Sequence, residues 1–500
     1  MATGGGRCVG RGKPRRGCPR EQGRSACSPG GPIARRIYGG GALSAGSGCA
    51  RGLVEGGKGS LVSITTRYGG ARRYRLLVPI SVSRLLCIYQ HAPTRDAPGF
   101  YRHRHYLAEL VRRGWWVDVV ACPVDYLTGT APKGYAGRFY GKERIEGICH
   151  HWMWGASRIH ETRVNRVLNY VSFAATASAR AVTLPTPDVI WASSPPLPIG
   201  GVGMVAASRF RRPWIFEIRD LWPESAAAVG WLSADGPAYR LLERAARAYA
   251  SGASSVIVPT PGLERAAYAH GARHVDVLPG IVLDDCQEPA VRDRVRAELE
   301  VTSTCVFAYV GALGVSNGLD SLLDAAKTLA GDPRVAFVVA GDGSDRRRLE
   351  ERIRREAILN IRLLGPVPKE RAKELLACAD VVLHLLRNTP VFHAALPNKV
   401  IDAFSAHRPF ITTVDGLPRR LAEDSGGGYA GTTDALAAEL LRWAAMSASE
   451  REARGEQSFA YGQQRFGLAP NVDRLERILN RLMRPRLRRG REGMRSGRSS

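Results

Sequence analysis

Two short stretches combine residue types that no fold requires for its own sake. The first is L-P-N-K-V-I-D-A-F-S-A-H-R-P-F, residues 396–410. Lys399 and Asp402 stand three apart on what reads as the first turn of a helix, so their side chains share a face. A lysine beside an anion-binding edge neutralises a diphosphate, and a carboxylate accepts two hydroxyls of a ribose. The competing reading is a surface ion pair worth about 0.2–0.5 kcal/mol. The second stretch is E-I-R-D-L-W-P-E-S, residues 217–225, following the apolar run P-W-I-F. It sets Arg219, Asp220, Trp222 and Glu224 at the mouth of a buried strand.

Three glycine turns accompany them. C-V-F-A-Y-V is followed by G-A-L-G-V-S-N-G, which carries Gly311, Gly314, Asn317 and Gly318. V-A-F-V-V-A is followed by Gly341, Asp342 and Gly343, and I-R-L-L by G-P-V-P-K-E, with Val367 ahead of a helix that starts at Pro368. Glycine at such places lets backbone N–H groups approach an anion at a helix N-terminus. A single turn of this kind is needed merely to connect two elements. Three on one edge favour a nucleotide site.

The elements that position these residues alternate regularly. Apolar runs at 84–90, 115–122, 187–193, 213–218, 254–260 and 274–280 read as strands, separated by helical segments such as 163–182. The stretch around 144–154 reads as extended. The strands are continuous apolar runs, as parallel sheets covered on both faces demand. A charged connector, 284–304, interrupts the march, and a second strand–helix series starts at Cys305. The expected architecture is α/β, two tandem doubly wound (Rossmann-like) parallel-sheet domains facing a cleft. Residues 84–283 form the first domain and 305–465 the second. A last amphipathic helix within 466–483 is expected to pack back on the first, and ligands in such sheets bind at the carboxyl ends of strands.

The net charge of +26 is unevenly spread: +13 falls in residues 1–83 and +6 in 484–500, leaving +7 for the 400 between. Those Gly-, Ser- and Arg-rich ends read as disordered basic tails. Their functional reading is attachment to nucleic acid or anionic lipid, at about 1 kcal/mol per Lys/Arg near a membrane surface. No run reaches the roughly 18 apolar residues of a membrane span, and no secretory signal is present, so a cytoplasmic location is expected. The ten cysteines form no framework and read as free thiols. In Cys149-His150-His151 adjacent side chains of an extended chain point to alternate faces, so a shared metal is not expected.

The second domain resembles the donor domain of family 4 glycosyltransferases, which have the two-domain GT-B fold; the resemblance rests on the glycine turn, the G-D-G turn and the acid-bearing helix. R-D-L-W-P-E-S, the S-P-P-L-P-I-G run at 194–200 and P-N-K-V-I-D-A-F are similar to one branch. That branch transfers N-acetyl-L-fucosamine or related sugars to lipid-linked or polysaccharide acceptors. The resemblance covers roughly 84–480. It implies a nucleotide-sugar donor, usually UDP-linked, held by the second domain through Gly311, Gly314, Asn317, Gly341, Asp342, Gly343, Val367, Lys399 and Asp402. Gly99 matches the flexible glycine turn of the first domain. Asp402 matches the second acid of the family's paired motif. The first acid, near Ala394, is missing, as is the lysine that would fall near Asn317, and Lys399 is the candidate substitute.

Where many members carry a His-Asp pair, this chain has Arg219 and Asp220. The resemblance makes Asp220 a group that orients an acceptor hydroxyl or takes its proton, and Arg219 a ligand for a sugar hydroxyl or the leaving diphosphate. Glu224 is a second acid, and Trp222 an acceptor-side platform for a sugar ring. It further implies no cofactor, no catalytic metal and retention of configuration. The implied partners are the donor and a glycan or polyprenyl-linked acceptor. The tail 484–500 and the helix 163–182 with Phe173 are the candidates for contact with an anionic membrane at its inner face, and no specific nucleic acid is expected. Competing readings are a sugar-nucleotide epimerase, which also uses facing α/β domains, and a nucleic-acid-binding protein acting through its tails. A dinucleotide oxidoreductase is weaker still, because G-A-L-G-V-S-N-G does not fit G-x-G-x-x-G.

Overall fold

The structure, a computed structural model, describes residues 61–68, 72–79, 82–94, 102–125, 129–159, 161–228 and 230–484. The chain divides into two compact units, 1–81 and 82–500. In the first unit, β1 (Leu61–Tyr68) pairs antiparallel with β2 (Arg72–Pro79). The N-terminal stretch read as disordered thus contains a ladder, formed by two runs rich in β-branched and large apolar residues. Residues 1–60 and 485–500, and with them most of both basic tails, lie outside the described residues, as does Gly99.

The second unit holds two lobes. The N-terminal lobe runs β3 (Arg84–Ile88), α1 (Arg102–Arg112), β4 (Trp116–Ala121), β5 (Tyr140–Ile145), β6 (Ile148–Met153), α2 (Arg163–Ala181), β7 (Val189–Ser194) and α3 (Ile199–Phe210). It continues through β8 (Trp214–Ile218), α4 (Glu224–Ala228), α5 (Pro237–Gly252), β9 (Ser255–Val258), α6 (Glu264–Ala269) and β10 (Val275–Val277). The sheet order is β10-β9-β8-β7-β3-β4-β6-β5. Successive residues of β3 serve opposite cores: Leu86 and Ile88 pack with α2, α3 and α5, while Leu85 and Cys87 pack with α1. That is why the strands carry no polar alternation. The segment around 144–154 is not one extended stretch but a hairpin, β5 antiparallel to β6. It turns on Glu146 and Gly147, both at positive φ (51° and 80°), as a two-residue hairpin loop requires.

The C-terminal lobe runs α7 (Pro289–Glu298), β11 (Cys305–Val310), α8 (Leu319–Thr328), β12 (Val335–Ala340), α9 (Arg346–Arg355), β13 (Ile361–Leu363), α10 (Lys369–Cys378) and β14 (Val381–His384). Then follow α11 (Asn398–Ser405), β15 (Phe410–Thr412), α12 (Leu417–Asp424), β16 (Gly428–Tyr429), α13 (Thr433–Ala445), α14 (Ala448–Phe466) and α15 (Leu468–Met483). All six strands are parallel, in the order β13-β12-β11-β14-β15-β16. The charged connector 284–304 contains a docked helix. Val295 of α7 is fully buried, and Arg292 and Arg296 donate to the buried carboxylate of Asp380 at 2.8 and 2.7 Å. Two of its charges are thus partners of one buried acid, while Asp293, Arg294, Glu298 and Glu300 stay exposed.

The strand order reverses between β3 and β7 in one lobe and between β11 and β14 in the other. Crevices for ligands open at the carboxyl ends of such pairs. The chain crosses between lobes twice, side by side: the Val282 N–H donates to the Phe466 carbonyl (2.9 Å). The second crossing delivers α15 to the N-terminal lobe. There Val472, Leu475, Ile478 and Leu479 join the α1 core, and Glu476 accepts from the Trp115 indole (3.2 Å). Leu475→Ala and Leu479→Ala should each cost about 2–5 kcal/mol in urea unfolding. A variant of either that unfolds at the parent midpoint would show that α15 is dispensable to the N-terminal lobe.

Candidate functional site at the interlobe cleft

At the C-terminal lobe's switch point, three turns are knitted to each other. Gly311 N–H donates to the Ala340 carbonyl (2.9 Å), Leu313 N–H to Asp342 (2.8 Å) and Gly341 N–H to Gly365 (2.8 Å). The backbones approach so closely that a methyl on Gly341 would fall on the Gly311 carbonyl oxygen, and one on Gly343 on that of Leu313. Gly341 and Gly343 are therefore demanded by packing between turns, and the amides of Gly311, Leu313 and Gly341 are spent on it. Asn317 is also occupied: its Oδ1 accepts the Gly314 N–H (3.1 Å), closing its own loop. The Asp342 carboxylate is exposed and accepts the Gly343 N–H (2.9 Å). Of the predicted donor ligands, Asn317, Gly341 and Gly343 thus have a part in building the turns themselves.

Lys399 and Asp402 behave differently. Lys399 crosses from α11 over the β11 turn, where a methyl on Gly311 would sit 2.7 Å from its Nζ. The ammonium lies 4.8 Å from the centre of the Tyr309 ring. Burial lowers its pKa to about 8, against the opposing charge of Asp402. The two side chains form no ion pair, so the surface-pair reading fails. Asp402 instead lines a cavity of about 360 Å³ between the lobes. Enclosure by protein raises its pKa to about 6, opposed by Lys369 and Lys399 and assisted by Asp285. The carboxylate is nonetheless open to the water of the cavity, which limits the energetic weight of that shift.

The cavity is the junction of both lobes. Val367, Lys369 and Asn398 face it from one side, and His91, Arg102 and His105 from the other. Lys373 also lines it and is tied to Asp285 (2.9 Å). The missing first acid has a steric explanation. Ala394 abuts Gly262 of the N-terminal lobe so tightly that Gly262 has no room for a Cβ, and a longer side chain at 394 would meet the same wall.

Across the cleft, the residue the sequence did not single out is Glu217. It is wholly buried on β8 and accepts hydrogen bonds from Arg102 and from His103 Nε2 (2.6 Å). Burial alone would raise its pKa, but His103 and Arg102 hold it well below the carboxylate range. Burial also lowers the His103 pKa, against the pull of the Glu217 charge. Arg102 further donates to the carbonyls of Leu278 and Pro279. The signal that marks Glu217 is an acid inside an uninterrupted apolar strand, which must find a buried cation.

Arg219 does not pair with its neighbour. Its guanidinium donates to the carbonyls of Ser194 (3.2 Å) and Pro195 (3.0 Å) and lies 5.1 Å from the centre of the Tyr89 ring, at the N-terminal lobe's own switch point. Asp220 is exposed and makes no hydrogen bond or ion pair with the described residues. Glu224 accepts from His270 Nε2 (2.7 Å) through one carboxylate oxygen, which ties α4 to the end of α6, while its second oxygen has no partner among the described residues. Trp222 is half-buried against the sheet core and perpendicular to Trp231 at 6.5 Å, so part of its surface is already covered. None of Arg219, Asp220, Trp222 and Glu224 is among the residues that line the cavity.

Cys149 and His151 do converge, because positions two apart on β6 share a face, and Asp118 of β4 joins them, their ligand atoms all within 4.8 Å. The argument from adjacency thus covered only His150. Proton roles count against a shared ion: Arg180 donates to His151 Nδ1 (3.3 Å), leaving Nε2 to carry the proton toward Asp118 (3.1 Å). The described cysteines are all free thiols.

Two family profiles match this chain. "Glycosyl transferase 4-like domain" matches residues 101–280, and "Glycosyl transferases group 1" matches 304–445. The probable glycosyltransferase WbjE of Pseudomonas aeruginosa is 23% identical over 222 residues, 43% of this chain; the match spans 55% of that relative's length. Among solved structures, sucrose-phosphate synthase from Thermosynechococcus elongatus superposes with a TM-score of 0.62 at 17% identity, over 80% of this chain and 99% of that one. Anabaena HepE, in complex with UDP and glucose, superposes at 0.59 and 18% identity, over 80% and 100%. At these identities the structures establish the fold.

The charges at the cleft make stability depend on pH in two windows. Between about 4 and 6 the folded Asp402 keeps a proton that the unfolded chain releases, so stability falls as pH rises. Between about 8 and 10 the unfolded chain holds a proton that folded Lys399 has lost, so stability rises with pH. Asp402→Asn should flatten the first slope and Lys399→Met the second in urea titrations. Slopes that survive both substitutions would assign them to other groups.

Proposed function

This chain belongs to the family 4 glycosyltransferases and has their two-domain GT-B fold, and from that premise we propose that it transfers a sugar from a UDP-linked donor to a hydroxyl of a growing glycan. The transferred sugar is of the N-acetyl-fucosamine type, and the acceptor is a lipid-linked or polysaccharide chain at the inner face of a membrane. One observation carries the proposal. Lys399 and Asp402 sit three apart on α11, yet they leave each other unpaired, one laid over the β11 turn and the other lining the interlobe cavity. Lys399 is buried with an aromatic ring and no carboxylate against it, which leaves its charge costly, and Asp402 is open to the water of the cavity; a diphosphate would compensate the first and a ribose would take the place of water on the second. The UDP complex of Anabaena HepE supports the choice of nucleotide, and WbjE supports transferase chemistry.

Each group then has a task. Asp402 accepts the ribose hydroxyls, the backbone at Val367 borders the base, and Lys399 neutralises the diphosphate. As the acceptor oxygen bonds to the anomeric carbon and gives up its proton to Asp220, the bond to the diphosphate breaks and UDP leaves with the electron pair. Lys399 counters that growing charge where water is scarce. Asp220 faces the acceptor and orients its hydroxyl, with Arg219 holding the loop in place. One oxygen of Glu224 is engaged in the α4–α6 tie. Among the described residues no helix is long and apolar enough to cross a membrane.

A thermal-shift panel of nucleotide sugars tests the assignment, since a ligand of the native state raises its stability by mass action. UDP-sugars should shift the parent protein, and Asp402→Ala should abolish the shift. Asp220→Ala should keep the shift and lose about 10²-fold or more in turnover. The reverse pattern would exchange the two roles. Release of an epimer from a UDP-sugar without any acceptor would replace transfer by epimerisation.

A further inference from the structure

Helix α2 breaks the usual rule for a surface helix, which is apolar toward the sheet and polar toward water. Its inward face is ordinary: Asn169, Phe173, Ala177 and Ala181 are buried against the sheet. Phe173 is fully buried and takes no part in any surface contact. The opposite face carries Val164, Val167, Leu168 and Val171, spaced by three, one and three residues, so that they form one stripe. They are 73%, 56%, 52% and 57% exposed. A helix apolar on both sides has its second side waiting for a cover.

The surroundings indicate which cover. Helices α2, α3 and α5 lie on the same side of the N-terminal sheet, with α3 between the other two. Together the three carry seven arginines and a single acid, Glu243. Met204 and Val205 of α3 and Leu241 of α5 add exposed apolar surface. An apolar stripe within an arginine-rich field matches an anionic bilayer surface, where apolar side chains enter the headgroup boundary and guanidinium groups meet lipid phosphates. A second copy of this chain would place like charges against like, an arrangement that costs several kcal/mol.

The location is informative too. The stripe occupies the first half of α2, the end that starts beside the carboxyl edge of the sheet. There Tyr170 packs edge-on to His91 (6.3 Å), and His91 lines the interlobe cavity. We infer that the α2 stripe and its arginine field form a docking surface for an anionic lipid bilayer, and that docking sets the mouth of the cleft against the membrane. The inference uses neither donor nor acceptor, so it stands or falls independently of the proposed transfer.

Co-flotation of the full chain with phosphatidylcholine vesicles, with and without phosphatidylglycerol, tests it. The parent should float with anionic vesicles at least tenfold more than with neutral ones. The quadruple variant V164Q/V167Q/L168Q/V171Q should lose binding about tenfold or more. At about 1 M salt the Debye length shrinks to about 3 Å. The basic tails are then silenced, and the residual binding of the parent should be absent from the variant. Leu359→Gln, at an exposed leucine of the other lobe (79%), is the control and should bind like the parent. An unchanged urea midpoint shows that the variant is folded. Equal flotation of parent and variant at both salt concentrations would overturn the inference. So would a parent that ignores vesicles and sediments as a dimer that the variant dissociates, which would give the stripe to a second copy.

Discussion

The cleft of this protein depends on how closely two turns can approach. At the carboxyl ends of β11 and β12 the backbones pass with no room for a Cβ on Gly341 or Gly343. The Gly341 amide is hydrogen-bonded to Gly365 of the neighbouring turn and the Gly343 amide to the Asp342 carboxylate of its own. This contact flattens the strand ends into a floor, and Gly311 leaves the gap across which Lys399 extends from the far side of the switch point. With any side chain at 311, the ammonium could not reach the Tyr309 face. Without the floor there would be no rigid edge from which α11 could aim Asp402 into the cavity.

The opposite lobe uses charge for the same purpose. A carboxylate buried on a central strand is costly to leave unpaired, and Glu217 is satisfied by two residues from the start of α1. That fixes helix, strand and the Leu278–Pro279 segment to one another, so the wall bearing His91, Arg102 and His105 is rigid. Arg219, one turn of chain further, holds the ends of β7 and β8 together through two carbonyls. Asp220 is thereby left facing outward with nothing to do in the fold. The lobes are coupled by the paired crossings at Val282 and Phe466, and by α15, which completes the N-terminal core with residues from the far end of the chain.

Much of the fold was legible because burial on both faces leaves an unmistakable trace: apolar runs of five to six residues, such as C-V-F-A-Y-V, recurring between helical segments. What escaped was set by partners distant in sequence. The connector 284–304 read as a mere link because Arg292 and Arg296 give no local hint that Asp380, more than eighty residues on, will pair with them. The glycines of the G-D-G turn were assigned to a ligand because a demand for a small residue looks the same whether an anion or another backbone makes it. Glu224 looked like a catalytic acid because His270 lies 46 residues away. In helix 163–182 the residue singled out for membrane contact, Phe173, is buried, while Val164, Val167, Leu168 and Val171 are exposed, since spacing reports that a face is apolar and not what covers it.

By itself the sequence determined the two α/β lobes, their order, the family, and the residue types at each strand end, since hydrophobic period and turn chemistry act over a few residues. Only the tertiary structure decided which of those residues are free to bind. That is a question of who is already paired. Asn317, Gly341 and Gly343 are hydrogen-bonded within and between the turns, and Glu224 meets His270 through one oxygen, while Asp402 and Asp220 make no hydrogen bond or ion pair with the described residues. Pairing depends on distances between segments that only the packed chain brings together.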